Sequence, residues 1–285
     1  MDPRPDATTS VASSAAAAAG CVIALLEDMG TIALAADLFD QVWQARAVMP
    51  SNLIRAIQFG GGYVSGAFVE DEMRGASVAF LGTSHQADDP VMTLHSHITG
   101  VLGADRGIGY ALKLHQRQWC QQHGVNTISW TFDPLIARNA YFNLAKLGAI
   151  GTAYLTDHYG EMADGINAGQ GSDRLLARWD VGATRAPTRP ALPADPPIVV
   201  LDRDTAGEPV ATDVNGSPHE VLAIAAPADI LRLRRRNPSL AHRWRRAVRD
   251  HLIPLMAAGY QATGMTRDGY YLLTRTATHG PAGAP

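Results

Sequence analysis

The segment from Val91 to Lys113 constrains the fold of this chain more than any other part of its sequence. An apolar run, Val91–Val101, has the composition of a strand, and a short glycine-bearing loop follows it. The loop opens directly into residues 107–122, whose apolar positions recur at helical spacing. The order predicts a strand, a tight turn and the N-terminus of a helix.

The start of this predicted helix is suited to bind an anion. The first N–H groups of a helix lack partners within it and carry the positive end of its dipole, and Gly107 and Gly109 let a ligand approach the backbone closely. A P-loop is excluded, because no Lys-Ser/Thr pair follows Gly109. A dinucleotide fingerprint is excluded as well, because Leu112 stands where a small residue is needed and no acidic residue lies about 20 positions further on.

The composition excludes several other classes of protein. With 285 residues, 46% of them hydrophobic, and a net charge of −3, the chain has enough apolar residues for a core and is not globally basic. Two cysteines, Cys21 and Cys120, are too few for a disulfide framework or a cysteine-based zinc site. No stretch approaches the roughly 18 uninterrupted apolar residues of a membrane span. We therefore expect a cytoplasmic protein.

Strands and helices alternate along the first two thirds of the chain. The predicted strands are 21–27, 63–69, 74–81, 91–101, 126–132, 149–155 and 173–180, and the predicted helices are 32–45, 50–59, 107–122 and 133–148. After a proline-rich stretch we expect strands 198–201 and 220–225, helices 227–236 and 239–258 with Ser239 as N-cap, and a hairpin of 260–266 with 270–276.

Two segments resemble the GNAT superfamily of acyltransferases. Arg106-x-x-Gly109-x-Ala111 after an apolar strand is similar to the GNAT pyrophosphate loop, and residues 133–149, ending in Lys-Leu-Gly before a strand, are similar to the end of a GNAT domain. Together with residues 159–162 and 171–179, they resemble the predicted-acetyltransferase subgroup that includes N-succinyltransferases of D-amino acids. Many members place a tyrosine acid four residues before the last glycine of Lys-Leu-Gly, where this chain has Leu144.

The resemblance implies an α/β fold with a mixed central sheet, the GNAT-like acyl-CoA N-acyltransferase fold, followed by a C-terminal α+β lobe. The expected organisation is a disordered alanine-rich tail at 1–19, a GNAT-like domain at 20–182, a linker at 183–197, the lobe at 198–278 and a tail at 279–285. The implied coenzyme contacts are Val101, Arg106, Gly107, Ile108, Gly109, Tyr110, Ala111, Asn139 and Asn143.

The implied activity is transfer of an acetyl or succinyl group from coenzyme A to the amine of a small molecule, such as an amino acid, without a metal. Acyl-CoA is then a co-substrate, a homodimer is an open possibility, and neither a membrane nor a nucleic acid is an expected partner. The alternative is a catalytically silent protein of this fold that binds a partner through its arginine-rich C-terminal lobe.

Two histidines are the candidate bases. In an extended strand His95 and His97 share a face, and a neutral imidazole takes an amine proton near neutral pH. They lack a third ligand at metal-site spacing. The alternative is that both are packed or solvent-bridged histidines.

Five further residues are candidates with structural alternatives. Asn139 and Asn143 are four residues apart and share a face of a predicted helix. Their side chains are candidates to hold the pantetheine arm, and the alternative is helix capping or hydrogen bonding at the surface. Tyr141 could replace the missing acid, or pack. Arg138 and Arg174 are each able to bind the carboxylate of an acceptor or a succinyl group through a bidentate ion pair. The alternative is that both are surface residues.

The C-terminal helices carry the one strongly basic region. We considered a solvated helix face, a contact to a coenzyme phosphate or acidic partner, and nucleic-acid binding for its arginines, which are Arg232, Arg234, Arg235, Arg236, Arg243, Arg245, Arg246 and Arg249.

Overall fold

The computed structural model describes residues 7–83, 91–103, 107–162, 171–182, 196–212 and 221–275. Arg106 of the expected coenzyme loop, Glu220 of a predicted strand and the tail 279–285 lie outside these ranges. The chain forms two compact units. Unit 1 is Met1–Trp130, Ala163–Ile166 and Trp179–Ala186, and unit 2 is Thr131–Met162, Asn167–Arg178 and Pro187–Pro285.

Unit 1 begins with a helix and continues as alternating strands and helices. Its elements are α1 (Ala7–Ala18), β1 (Val22–Leu25), α2 (Met29–Trp43), α3 (Ser51–Phe59), β2 (Tyr63–Val69), β3 (Glu72–Thr83), β4 (Met92–Val101), α4 (Ile108–Gln122) and the start of β5 (Thr127–Phe132).

The strands of unit 1 form a mixed sheet. β1 to β4 pair with their sequence neighbours in antiparallel fashion, and β4 pairs with β5 in parallel. β4 and β5 can run parallel because α4, which connects them, returns the chain to the end of the sheet at which β4 begins. The expected fold class, α/β with a mixed central sheet, is confirmed, and from β1 to β5 the elements follow the order that the sequence predicts.

Helix α2 supplies much of the core of unit 1. Its residues Ile32, Leu38 and Phe39 are buried with Val64 of β2 and Val78 of β3. The side chain of Asp28 accepts a hydrogen bond from the Thr31 amide at 2.9 Å and so begins the helix. The apolar stripe and the cap explain why the sequence located this helix.

Residues 7–18 form helix α1, where the sequence analysis expected a disordered tail. Alanine has the highest helix propensity, and the small side chains of Ala15 and Ala16 pack against a cluster that includes Ile108 and Leu112 of α4. Tertiary packing thus stabilises a segment whose composition alone suggests low complexity.

Unit 2 contains the remaining elements, except for the last two residues of β7, which belong to unit 1. After the end of β5 they are α5 (Ala137–Ala140), a π-helical segment (Tyr141–Lys146), β6 (Ile150–Leu155), β7 (Arg174–Asp180), β8 (Ile198–Arg203), β9 (Pro209–Ala211), β10 (Val221–Ala225), α6 (Ile230–Arg236), α7 (Pro238–Ala257), β11 (Tyr260–Met265) and β12 (Tyr270–Arg275). The strand order is β7-β6-β11-β12-β10-β8-β9, and only the β10–β8 pairing among the described strands of this order is parallel.

Two local predictions for unit 2 are wrong. The helix predicted from Asp133 begins at Ala137, because the Asp133 carboxylate accepts a hydrogen bond from the Leu135 amide at 2.9 Å and turns the chain first. Its second half is π-helical. The N-cap of α7 is Asn237, whose side chain accepts from the Leu240 amide at 3.1 Å, rather than Ser239.

The two units divide the chain differently from the expected domains. The boundary lies between Trp130 and Thr131, inside the expected 20–182 domain. The reason is strand pairing, since Gly151 of β6 lies opposite Ala262 of β11. The second part of the expected GNAT-like domain therefore packs with C-terminal strands.

Candidate functional site

Strand β4 parts from its parallel neighbour β5 after a short stretch of pairing. Leu94 lies opposite Ile128 and His95 opposite Ser129, and no further pair joins the two strands within the described residues. In a continuous ladder the two strands would satisfy each other's backbone groups. Beyond His95, the edge of β4 that faced β5 is therefore available to a ligand.

A β-bulge lies in β4 where the two strands part. Val78 of β3 lies opposite Ile98, but Ala79 lies opposite Ser96, so His97 is the extra residue. A bulge interrupts the ladder locally and changes the direction of nearby side chains and backbone groups. The bulge and the parted strands occur within two residues of each other.

His95 and His97 lie on the same face of β4, as predicted. Their ring centroids are 6.2 Å apart, and the Phe80 ring lies 5.1 Å from His95 and 6.0 Å from His97. His97 is exposed and His95 is half-buried. Partial desolvation lowers the pKa of His97 below its ordinary value, so its imidazole is neutral and able to accept a proton at neutral pH.

The glycine turn leads into α4 as expected. Gly107 is the N-cap of α4 with φ +94°, a left-handed conformation that favours glycine, and it provides no capping side chain. The Ala111 amide donates to the Gly107 carbonyl at 2.9 Å, which leaves the preceding amides of Ile108, Gly109 and Tyr110 at the helix start.

Among the described residues, a Cβ placed on Gly109 would contact only Val101 Cγ2, at 3.7 Å, so the end of β4 lies beside the start of α4. Arg74 is a further cation at this point that the sequence analysis missed. Its guanidinium lies 3.4 Å from the position of a Cβ on Gly103. The register between β3 and β4 could have revealed Arg74, because the neighbouring Gly75 lies opposite Val101 at the end of β4.

A buried lysine lies beneath the point where β4 and β5 part, and the sequence analysis did not single it out. Lys113 of α4 is 6% exposed; its Nζ donates to Ser96 Oγ at 2.7 Å and lies 4.0 Å from the centroid of the Trp130 ring. Burial lowers the pKa of Lys113 to about 7. Helical spacing could have revealed Lys113, because residues three and four apart share a helix face, and Lys113, Gln116 and Cys120 all lie on the buried face of α4.

The candidates in unit 2 have differing environments. Arg138 and Asn139 are exposed, whereas Asn143 is 5% exposed, so the two asparagines do not form the equivalent pair that a continuous α-helix would present. The change from α- to π-helix between them is the reason. Tyr141 is half-buried, and its hydroxyl accepts a hydrogen bond from Arg267 Nε at 3.5 Å.

Arg174 is buried and already engaged. Its guanidinium donates to the Asp173 carbonyl and to Met162 Sδ, both at 2.9 Å, and lies 5.3 Å from the Tyr159 ring centroid. Leu144, at the position of the tyrosine acid in many GNAT members, is fully buried. The structure thus leaves that position without a proton donor.

Half of the eight C-terminal arginines form ion pairs inside unit 2. Arg245 and Arg234 bind the buried Asp133, Arg249 binds Asp173, and Arg243 binds Glu208. A fully solvated basic face is therefore the wrong description of this region. Arg232, Arg235, Arg236 and Arg246 remain exposed.

The described residues contain neither a candidate membrane span nor a candidate metal site. They contain no helix that is both long and apolar enough to cross a bilayer. They also contain no group of three or more histidine, cysteine, aspartate or glutamate side chains placed to hold a metal ion.

No family model matches the sequence. No curated protein matches it either.

The structure is similar to solved acetyltransferases. An N-acetyltransferase from Staphylococcus aureus Mu50 is 12% identical with a TM-score of 0.44, covering 56% of this chain and 97% of that chain. A GNAT family acetyltransferase from Elizabethkingia anophelis with acetyl-CoA bound is 15% identical with a TM-score of 0.42, covering 56% and 98%. Arabidopsis thaliana Naa50, in complex with a bisubstrate analogue, is 18% identical with a TM-score of 0.42, covering 56% and 97%.

Proposed function

We propose that this chain is an acyl-CoA-dependent N-acyltransferase that transfers an acetyl or succinyl group to the amine of a small molecule, with an amino acid as the acceptor. The observation that carries the proposal is the coincidence, within one segment, of the bulge at His97, the parting of β4 from β5 and the glycine start of α4. Each feature alone has a structural explanation, but together they match what an extended thioester ending in a pyrophosphate requires.

The helix start would hold the pyrophosphate. The amides of Ile108, Gly109 and Tyr110 and the helix dipole favour an anion there, and Arg74 adds a cation near Gly103. The pantetheine arm would then run along the free edge of β4, where its amide groups replace the missing strand partner.

The bulge would hold the reacting carbonyl. A backbone N–H released from the ladder near His97 is a donor for the oxygen that becomes negative during acyl transfer. His97, exposed and neutral at neutral pH, would take the proton of the acceptor amine. Arg138 is exposed in unit 2, and its binding to a carboxylate of the acceptor or of a succinyl group stays a prediction from the sequence.

Isothermal titration with coenzyme A tests the binding part of the proposal. We expect the native chain to bind and Gly109→Asp to lose at least about 100-fold in affinity, because the new carboxylate repels the pyrophosphate. The fold should survive, since the one described atom that a Cβ at Gly109 meets, on Val101, lies at an ordinary contact distance, and aspartate is favourable in the first turn of a helix.

Gly109→Ala is the matched control, because it adds the Cβ without the charge. It should bind more tightly than Gly109→Asp, and both variants should melt within a few degrees of the native protein. A native chain that shows no heat with coenzyme A would disprove the proposed function.

The acceptor requires a separate experiment. Incubation with acetyl-CoA or succinyl-CoA and a mixed amino-acid pool, followed by mass spectrometry, should show N-acylated products. The subgroup with N-succinyltransferases of D-amino acids, which the sequence resembles, predicts succinylated amino acids among them. Products on other amines would retain the transferase and correct the acceptor.

The silent binding protein remains the second candidate, and the structure contains one observation in its favour. A cavity of about 470 Å³ in unit 2 is lined by His242, Arg246, His251 and apolar residues of β8 and β9. Release of free thiol above the background hydrolysis of acyl-CoA would exclude this candidate, because a binding protein does not turn over its ligand.

A further inference from the structure

Lys113 is a buried amine, and no ion pair joins it to a carboxylate among the residues that the structure describes. Its only hydrogen-bond partner among the described residues is Ser96 Oγ, at 2.7 Å, and its other close contact is the face of the Trp130 ring. A buried ammonium is costly unless it is paired, and groups kept in this condition are enriched at functional sites. Lys113 and its partner Ser96, called the Ser96–Lys113 pair below, are therefore candidates for a chemical role that the proposed mechanism does not yet use.

The position of the pair relative to the gap supports such a role. The last pairings between β4 and β5 are Leu94 with Ile128 and His95 with Ser129. The next residues of the two strands are Ser96 and Trp130, and these are the two residues that Lys113 contacts. The amine thus lies where the ladder opens, next to the bulge at His97.

The orientation of the pair separates it from the histidines. Successive side chains of a strand point to opposite faces, so Ser96 lies on the face of α4 and His95 on the other. His97 contacts Phe80 and His95 on that second face. One face of β4 carries the candidate base, and the other carries the Ser96–Lys113 pair.

We propose that Ser96 and Lys113 form the proton-donating pair for the departing thiolate, with Ser96 as the catalytic residue and Lys113 as the positioning residue that acts through it. This rests on the proposed acyl-CoA function. Lys113 already donates to Ser96 Oγ, which leaves the hydroxyl proton of Ser96 to be donated elsewhere. The pair replaces the tyrosine that Leu144 excludes.

The step balances without any further reactant. When the C–S bond breaks, its electron pair goes to sulfur, which takes the hydroxyl proton of Ser96 and becomes the thiol. Ser96 Oγ takes a proton from the Lys113 ammonium, which becomes a neutral amine. The neutral acceptor nitrogen forms the new C–N bond to the carbonyl carbon and loses one proton to His97, which releases it to solvent. Lys113 recovers a proton from solvent before the next turnover.

The surrounding titratable groups do not neutralise Lys113. On α4 itself, Cys120 interacts with it electrostatically, but burial raises the pKa of that thiol to about 12. On the neighbouring elements, Tyr63 of β2 and Cys21 before β1 also have raised pKa values and are uncharged at neutral pH. His115 of α4 and the β4 histidines are not anionic in any state. Lys113 therefore titrates close to neutrality.

A direct measurement does not depend on activity. The chain contains two lysines, Lys113 and the exposed Lys146, so ¹³Cε-lysine labelling gives two resonances and an internal control. We expect Lys113 to titrate near pH 7 and Lys146 near about 10.4. Saturating acetyl-CoA should shift the Lys113 resonance and leave that of Lys146 in place.

Kinetics test the proton transfer itself. The native kcat at saturating substrates should fall on the alkaline side as Lys113 loses its proton. Lys113→Met and Ser96→Ala should each lower kcat about 100-fold, leave KM for acetyl-CoA within about 3-fold, and remove the alkaline limb. Because the two act as one unit, the double variant should be no slower than the slower single variant. Lys146→Met should behave as the native protein.

Several outcomes would overturn the pair. These are a Lys113 titration midpoint above about pH 9.5, a Lys113 resonance unmoved by bound acetyl-CoA, and variants whose rates fall equally at every pH, which indicates a structural role. Failure of the proposed function is distinguishable, because calorimetry would then show no coenzyme A binding although Lys113 still titrates near pH 7.

Discussion

At the residue scale, the His97 side chain lies on one face of β4 and Lys113 contacts Ser96 on the other, and desolvation lowers the pKa of both His97 and Lys113. For a histidine this shift extends the neutral, proton-accepting form to lower pH. For a lysine it brings the loss of the proton down to the neutral range. A base and an acid of this kind function together in the window between their pKa values.

His97→Ala should lower kcat/KM about 100-fold, because the acceptor amine loses its nearby base. The native acid limb should lie below the ordinary imidazole pKa of about 6.5, since the pKa of His97 is lowered. The measurement is kcat/KM from pH 5 to 8.5, with coenzyme A affinity measured in parallel and expected to stay almost unchanged.

His242→Ala is the control for this experiment, because His242 is an exposed histidine of α7 in unit 2. It should leave the pH profile as it is. If His97→Ala and His95→Ala both keep native rates across the range, the base lies elsewhere or the free amine is taken from solution.

Lys113→Met should stabilise the fold at the same time as it damages activity. The pKa of Lys113 is about 7 in the folded chain and about 10.4 when unfolded, so the unfolded chain binds more protons between these values. The free-energy cost of burying the Lys113 ammonium in the folded chain is therefore full below pH 7 and disappears as the pH rises toward about 10.4. Urea unfolding at pH 6 should show a gain on the order of 1–4 kcal/mol that shrinks toward pH 10. A gain independent of pH would contradict this account.

At the element scale, ion pairs join helices α6 and α7 to the chain that follows β5. Arg245 donates to both oxygens of Asp133, at 2.7 and 2.9 Å, and Arg234 binds the same carboxylate. Burial alone would raise the pKa of Asp133, but its hydrogen bonds and the charges of Arg245 and Arg234 lower it to about 2. The carboxylate is thus ionised throughout the physiological range.

Asp133→Ala should destabilise the folded chain by about 3–5 kcal/mol, because it leaves two buried guanidinium groups without their partner. In the native protein this contribution is present above the unfolded pKa of about 3.9 and is lost as pH falls toward 2. Denaturant unfolding as a function of pH measures both.

Arg243→Ala is the contrasting variant. Its ion pair with Glu208 is exposed, so its loss should cost less than about 1 kcal/mol. Equal losses for the two variants would show that burial of the Asp133 cluster does not determine its contribution.

At the scale of the whole molecule, the predicted order of elements is largely the observed one, whereas the predicted domains are not. Helix α4 and strands β2, β4 and β5 have nearly the predicted bounds, since local periodicity and glycine stops determine them. The division between Trp130 and Thr131 depends instead on β6 lying beside β11, more than 100 residues later. No local pattern reports a pairing over that distance.

The sequence by itself determined the strand–turn–helix unit, the shared face of His95 and His97, and the glycine start of α4, because each depends on neighbouring residues and on simple periodicities. Only the tertiary structure decided that β4 leaves β5 after His95 and that Lys113 lies under that point against Ser96. It also placed Arg245 and Arg234 on Asp133, where the sequence suggested a solvated face. These features depend on contacts between residues distant in the chain, where burial rather than sequence spacing sets the charge, the partner and the pKa of a side chain.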